Sequence, residues 1–259
     1  MAGTGWKMNH RIADAQRYAA ALRPHLPTAS EPQPDIFVLP PFTALAAAAK
    51  AFAGTPVQIG GQNMHWDSTG AWTGEVSAPM LVEVGCRYVE LAHSERLQHF
   101  GESYDRVRLK VDAALAHGLM PILCVGETEE ERAAGQADLV LAAQLEIALA
   151  ETDAAALPQV VLAYEPRWAI GAAEAASPTY AEARHRQLRA TLAARWGAAA
   201  ADRVRILYGG SVTVANGAEI IAQPNIDGLF VGRAAWTPEG FARIIEIVTA
   251  AMPAKEPSS

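Results

Sequence analysis

Three side chains far apart in the sequence could do acid–base chemistry together. Glu165 ends the apolar run "VVLAYEP" (Val160–Pro166), His93 stands in "LAHSERL", and Lys7 stands in "WKMN". A carboxylate between an apolar strand and a Pro–Trp hinge is partly desolvated, which raises its basicity. Ser94 and Glu95 look like the start of a short helix, and the positive potential of a helix N-terminus favours a neutral imidazole at His93. Such a ring can donate a hydrogen bond to a carbonyl oxygen. Lys7 is expensive in a closed mouth unless it meets an anion, and Glu95 or an anionic ligand would serve. Each residue also has a bland reading: a surface ion pair for Glu165, a packed ring for His93, and simple neutralisation of Glu95 for Lys7. His10, His25, His65, His99, His117 and His185 show no pairing and read as structural or solvated.

These residues need a frame that brings distant strand ends together. Short β-rich runs recur at Gly3–Asn9, Asp35–Pro41, Val57–Asn63, Tyr88–Ser94, Pro121–Glu127, Val160–Pro166, Val204–Gly210 and Gly228–Ala234. Segments of helical period lie between them, such as Ala137–Glu151 and Ser177–Trp196, where Ser177 and Pro178 read as an N-cap and first helical position. Strands alternating with helices imply parallel βαβ units. Eight units in 259 residues suit a closed barrel. An open doubly wound sheet would carry G-x-G-x-x-G after the first strand, where this chain has "WKMN". The expectation is α/β: a single-domain (β/α)8 barrel over residues 1–252, with a tail at 253–259.

In a barrel the C-terminal strand ends share one rim. The polar residues there are Lys7, Asn9, Gln62, Asn63, His93, Glu95, Cys124, Glu127, Glu165, Gly209, Gly210, Ser211, Gly232 and Arg233. The turns "YGGS" (Tyr208–Ser211) and "FVGRAAW" (Phe230–Trp236) follow strands seven and eight, where barrels commonly hold phosphate on backbone N–H groups.

Composition narrows the partners. A net charge of −7 disfavours nucleic acid and anionic membranes, but not a small anion held by a few local donors. No run approaches a membrane span, and the N-terminus lacks a signal-peptide core. Cys86 and Cys124 are far apart, without metal-ligand spacing, and read as free thiols of a reducing cytoplasm.

Five motifs in order then carry a resemblance: "WKMN" (Trp6–Asn9), "AHSERL" (Ala92–Leu97), "CVGE" (Cys124–Glu127), "YEP-WAIG" (Tyr164–Gly171) and "YGGSV" (Tyr208–Val212). The chain resembles the triosephosphate isomerase family over nearly its whole length. The resemblance implies aldose–ketose isomerisation of a short sugar phosphate through an enediolate, without cofactor or metal. The family's known chemistry pairs a glutamate base with a neutral histidine under a closing loop. The resemblance thus implies Glu165 as base, His93 as neutral electrophile and Lys7 as cationic anchor paired with Glu95. Gly171, Gly210, Ser211, Gly232 and Arg233 fall at phosphate-binding positions, Cys124 is supporting, and Trp168–Ala176 resembles the flexible lid. Gln62–Glu75 resembles the loop that enters a partner subunit, with Thr73 near the neighbour's site, implying a homodimer.

The chain also departs from the family pattern. Gly5 replaces an asparagine before "WKM", Arg167 stands in the first lid hinge, Ala172–Ala173–Glu174 replace the usual lid tip, Arg233 replaces a glycine, and Trp72 replaces a phenylalanine. Similar departures mark the family's branch acting on four-carbon erythrulose phosphates. Two other readings stay open. A non-catalytic sugar-phosphate sensor would have no need of the base, and a Schiff-base aldolase on Lys7 would need an unprotonated amine.

Overall fold

The computed structural model describes residues 1–28, 33–171 and 175–252. Eight parallel strands close into a ring in chain order. They are β1 (Ala2–Gly5), β2 (Ile36–Leu39), β3 (Val57–Gly61), β4 (Cys86–Leu91), β5 (Met120–Val125), β6 (Val161–Tyr164), β7 (Arg205–Tyr208) and β8 (Gly228–Val231). Ala2 pairs with Ile36 on one side and Leu229 on the other, which closes the ring. The fold is the expected single-domain (β/α)8 barrel. The expected tail at 253–259 lies outside the described residues. Among the described residues no helix is long and apolar enough to cross a membrane.

The strands end earlier than their sequence runs suggest. Lys7 was expected inside the first strand, but β1 stops at Gly5 and Lys7 sits in a turn with φ 51°. The Asn9 side-chain amide and backbone N–H both donate to the Trp6 carbonyl, at 2.9 and 3.2 Å, and bend the chain there. Gln62 Nε2 then donates to the Lys7 and Leu39 carbonyls at 3.0 and 2.9 Å, fixing the turn. Ala92 after β4 and Ser211 after β7 also have positive φ, 62° and 42°. Such backbone persists only where the surroundings over-determine it, and it concentrates at functional rims.

The barrel interior is apolar and depends on a thin first strand. A Cβ on Gly3 would lie 1.9 Å from the Phe37 ring, so only glycine leaves room for that ring. Phe37, Tyr88, Leu207 and Phe230 fill the interior with Met1 at the base. Outside, helices cover the strands. Ser177 accepts from the Tyr180 N–H at 3.2 Å and Pro178 opens the helix Pro178–Trp196, as the sequence predicts. The helix predicted over Ala137–Glu151 runs over Ala137–Ala148.

One buried ion pair secures the root of the Gln62–Glu75 loop. Lys110 pairs with Glu102, and its Nζ donates to Asn63 Oδ1 at 2.8 Å. Both charges are nearly buried, and Glu102 also meets Arg96 Nε at 3.3 Å. Asn63 is thus tied to this pair. Lys110→Met leaves Glu102 short of a partner and should destabilise the fold by about 3–5 kcal/mol. Urea denaturation checks this; an unchanged midpoint would show the pair to be energetically neutral.

Candidate active site

The strand ends open into a cavity of about 720 Å³. Gly5, Lys7, Glu90, His93, Glu95, Glu165, Gly171, Ser211, Gly232 and Arg233 are among its lining residues. Glu165 follows β6 and is 5% exposed. Its N–H donates to the Val125 carbonyl at 2.8 Å. Two glycines of neighbouring strands let it sit there. A Cβ on Gly126 would lie 1.9 Å from the Glu165 carbonyl oxygen, and one on Gly209 would lie 2.7 Å from Glu165 Cγ. Glu165 Oε2 has no hydrogen-bond partner among the described residues. Burial pushes its carboxyl above the ordinary glutamate range, against the pull of His93 and Lys7.

His93 caps the helix Ser94–His99, and its Nδ1 accepts the Glu95 N–H at 3.2 Å. Nδ1 therefore carries no proton in this arrangement. In the neutral ring the proton is on Nε2, an assignment made from the hydrogen bonding. Nε2 faces Glu165 Oε2 at 3.7 Å. Lys7 Nζ donates to Glu95 Oε1 at 2.6 Å. Burial works to raise the Glu95 carboxyl, but the hydrogen bond and charge of Lys7 outweigh it and hold the group below the ordinary range.

The other sequence-predicted residues separate into two sets. Gly171, Ser211, Gly232 and Arg233 line the cavity on the side of β6 to β8. Gly171 has φ 69°, a backbone that glycine adopts without strain, and a Cβ on Gly232 would meet nothing within 4 Å. Ser211 Oγ donates to the Ala169 carbonyl at 2.5 Å. Gly210 and Cys124 do not line the cavity. Gly210 packs behind it, where a Cβ would lie 2.7 Å from Tyr208 Oη and 2.9 Å from Pro166. The buried Cys124 thiol lies beneath, pushed well up by burial and by the Glu165 charge, and so stays protonated. Thr73 is exposed on the Gln62–Glu75 loop and is not among the residues lining this chain's cavity.

Glu127, expected to face the cavity, instead joins the segments on either side of residues 172–174. Its carboxylate is fully buried and accepts from Trp168 Nε1 at 2.8 Å, Tyr180 Oη at 2.9 Å and Tyr164 Oη at 3.0 Å. The Arg132 guanidinium stacks over the Trp168 ring at 4.0 Å. At the other hinge, the Ala176 N–H donates to Tyr208 Oη at 3.1 Å. The lid tip at 172–174 lies outside the described residues.

Sequence reasoning missed Glu90. It is 6% exposed on β4 and lines the cavity floor. The signal was present in "YVELAHS". Tyr88 and Glu90 share the inward face of the strand, and a carboxylate is out of place in that apolar alternation.

Residues 1–248 match the triosephosphate isomerase family. The chain belongs to that family. It is 49% identical to a triosephosphate isomerase of Chloroflexus aurantiacus, covering 93% of this chain and 95% of the relative. It is 47% identical to an L-erythrulose-1-phosphate isomerase of Mesorhizobium japonicum, covering 96% and 97%. A Rhizobium meliloti protein of that second name is also 47% identical, over 96% of this chain and 97% of the relative. These names make the chain an isomerase of this family, while identity alone does not separate the two substrates.

In such an isomerase the base must be ionised to act. With Glu165 as the base that the resemblance implies, its carboxyl raised by burial above the ordinary 4.5, activity should fall on acidification at a pH above the ordinary glutamate range. A kcat/KM profile whose acidic limb lay at 4.5 or below would show that Glu165 is not the titrating base.

Proposed function

We propose that the protein isomerises a short ketose phosphate, moving a proton between adjacent carbons through an enediolate. One observation carries this reading: Glu165 Oε2, buried and without a described hydrogen-bond partner, faces the Nε2 of the helix-capping His93 at 3.7 Å. Glu165 takes the proton from the carbon beside the carbonyl. His93 Nε2–H donates to the carbonyl oxygen as negative charge develops there. Lys7, held by Glu95, supplies positive charge on the approach to the site. The phosphate lies toward Gly171, Ser211, Gly232 and Arg233. Closure of the lid excludes water, which would otherwise let the enediolate lose its phosphate. A sensor would gain nothing from a buried carboxylate left unpaired, which costs free energy without improving binding. The aldolase reading is weakened by the ion pair that engages Lys7 Nζ.

The four-carbon reading gains support at position 5. Gly5 has no side chain to crowd the reacting end of a ligand. The space beside it is bounded: a Cβ there would make ordinary contact, 3.5 Å from the Phe230 ring and 4.0 Å from Glu90 Oε2. Arg233 adds a guanidinium at the cavity rim. Steady-state kinetics on dihydroxyacetone phosphate and on L-erythrulose 1-phosphate test the isomerase reading. At least one should be turned over, and Glu165→Asp should lower kcat about 100-fold, because it withdraws the carboxylate by about 1 Å. Failure on both phosphates would sink the proposal.

The Gln62–Glu75 loop supports a homodimer. Residues 67–75 are exposed, yet the loop is ordered by its own contacts. His65 stacks on Trp66 with centroids 4.1 Å apart, and Trp72 Nε1 donates to Asp67 Oδ2 at 2.8 Å. A shaped, exposed loop carrying a 47% exposed Trp72 suits insertion into a second copy. The two free, buried thiols fit a cytoplasmic location. Deleting the loop tip should give monomers with little activity; a fully active monomer in sedimentation would contradict the role given to the loop.

A further inference from the structure

Glu90 has no part in the proton transfer described above, yet it forms the cavity floor. It stands one inward position above Tyr88 on β4, so a carboxyl caps the apolar interior. The Cys124 thiol, 4.0 Å from Glu90 Oε1, is its one described hydrogen-bond partner. No cation lies in an ion pair with it among the described residues. An oxygen of Glu90, an oxygen of Glu165 and a ring nitrogen of His93 lie within 4.8 Å of one another. Two buried carboxyls this close repel when both are ionised. His93 and Lys7 offset only part of that cost, and Glu90 has no ion-pair partner of its own among the described residues, which points to a ligand group as its partner. A divalent cation on these three groups would tie up the Glu165 oxygen that takes the proton, so a hydroxyl suits the position better.

Topology says which end of the ligand Glu90 meets. β4 and β8 stand opposite each other in the ring of eight. With the phosphate assigned above to Gly232 and Arg233, past the end of β8, Glu90 stands on the strand across the ring from that turn. It does so beside Gly5, with its Oε2 4.0 Å from where a Cβ would stand. In a four-carbon ketose 1-phosphate, the carbon that loses the proton carries a hydroxymethyl group where a triose phosphate has hydrogen. That group must project past the reacting carbons, toward this corner.

We infer that Glu90 is the specificity-determining residue of this site, its carboxyl hydrogen-bonding the terminal hydroxyl of a ketose phosphate one carbon longer than a triose phosphate. The inference rests on the isomerase reading above. Gly5 gives the hydroxymethyl group space and Glu90 gives it a polar partner. The carboxyl is suited to the task at neutral pH. Burial pushes it up to about 7, with His93 and Lys7 pulling down and Glu165 and Glu95 pushing up, while the facing Cys124 thiol stays protonated. A protonated Glu90 can donate as well as accept, and it does not repel the enediolate.

The test compares wild type, Glu90→Leu and Glu90→Gln on L-erythrulose 1-phosphate and dihydroxyacetone phosphate. Inhibition by a tetritol phosphate beside glycerol phosphate reads binding without turnover. Glu90→Leu should lose about 10–100-fold more kcat/KM on the four-carbon substrate than on the three-carbon one, the effect of one strong hydrogen bond. Its inhibition constant should worsen selectively for the tetritol phosphate. Wild-type kcat/KM on the four-carbon substrate should fall as pH rises through about 7. Glu90→Gln, nearly isosteric and never charged, should lose that limb, and it keeps the test open if the leucine variant fails to fold. Equal losses on both substrates, or no loss, would overturn the inference. So would a wild type active only on the triose phosphate, which would leave the isomerase reading intact. A wild type inactive on both would instead strike the isomerase reading itself.

Discussion

Glu165 is a buried carboxyl that the fold satisfies only in part, and the rest of the cavity is arranged around that. Its Oε2 is buried and unpaired among the described residues, so every neighbouring group acts on how readily it takes a proton. Its position comes from strands rather than loops. β5 holds its N–H, the missing side chain of Gly126 makes room for its backbone carbonyl, and that of Gly209 makes room for its side chain. His93 is fixed differently, by capping a helix that begins at the next residue. A strand end and a helix N-cap are both stiff, so the proposed base and electrophile face each other with little freedom to drift. Preorganisation of this kind removes reorganisation from the reaction itself.

The floor of the site is decided by what β1 lacks. Gly3 admits the Phe37 ring to the barrel axis, and Gly5 leaves a gap bounded by Phe230 and Glu90. An apolar plug therefore ends directly beneath a polar chamber, with one buried carboxyl at the boundary. That boundary lowers the local dielectric under the reacting groups, which strengthens their electrostatic interactions. It also makes the charge state of Glu90 sensitive to small changes in its surroundings.

Around the rim, single side chains join elements that are distant in the sequence. Glu127 ties Trp168 of the lid hinge to Tyr164 of β6 and to Tyr180 of the following helix. Gln62 ties the Lys7 turn to β2, and Lys110 ties Asn63 to Glu102. The root of the exposed loop thus connects, through a few hydrogen bonds, to the residue that carries the cavity's ammonium group. Anything that seats this loop in a second copy would also act on Lys7.

The sequence by itself determined the eight alternating strands, the closed parallel ring and the rim on which Glu165, His93 and Lys7 would meet. Those features follow from local period and chain order, which neighbouring residues encode. It also carried the helix start at Ser177 and Pro178, because capping is a local hydrogen bond. Other features were decided only by tertiary structure. Lys7 left the strand because Asn9 and Gln62, one of them 55 residues away, bend and hold its turn. Glu127 turned to the lid because three hydroxyl and indole donors from separate segments converge on it. The need for glycine at position 210 was also tertiary, since a side chain there would collide with Tyr208 and Pro166. Glu90 became visible as a floor residue only once ring closure set Gly5 of β1 beside its carboxyl. Whether a carboxyl is paired, buried or free depends on atoms contributed by distant strands, and no short window of sequence contains them.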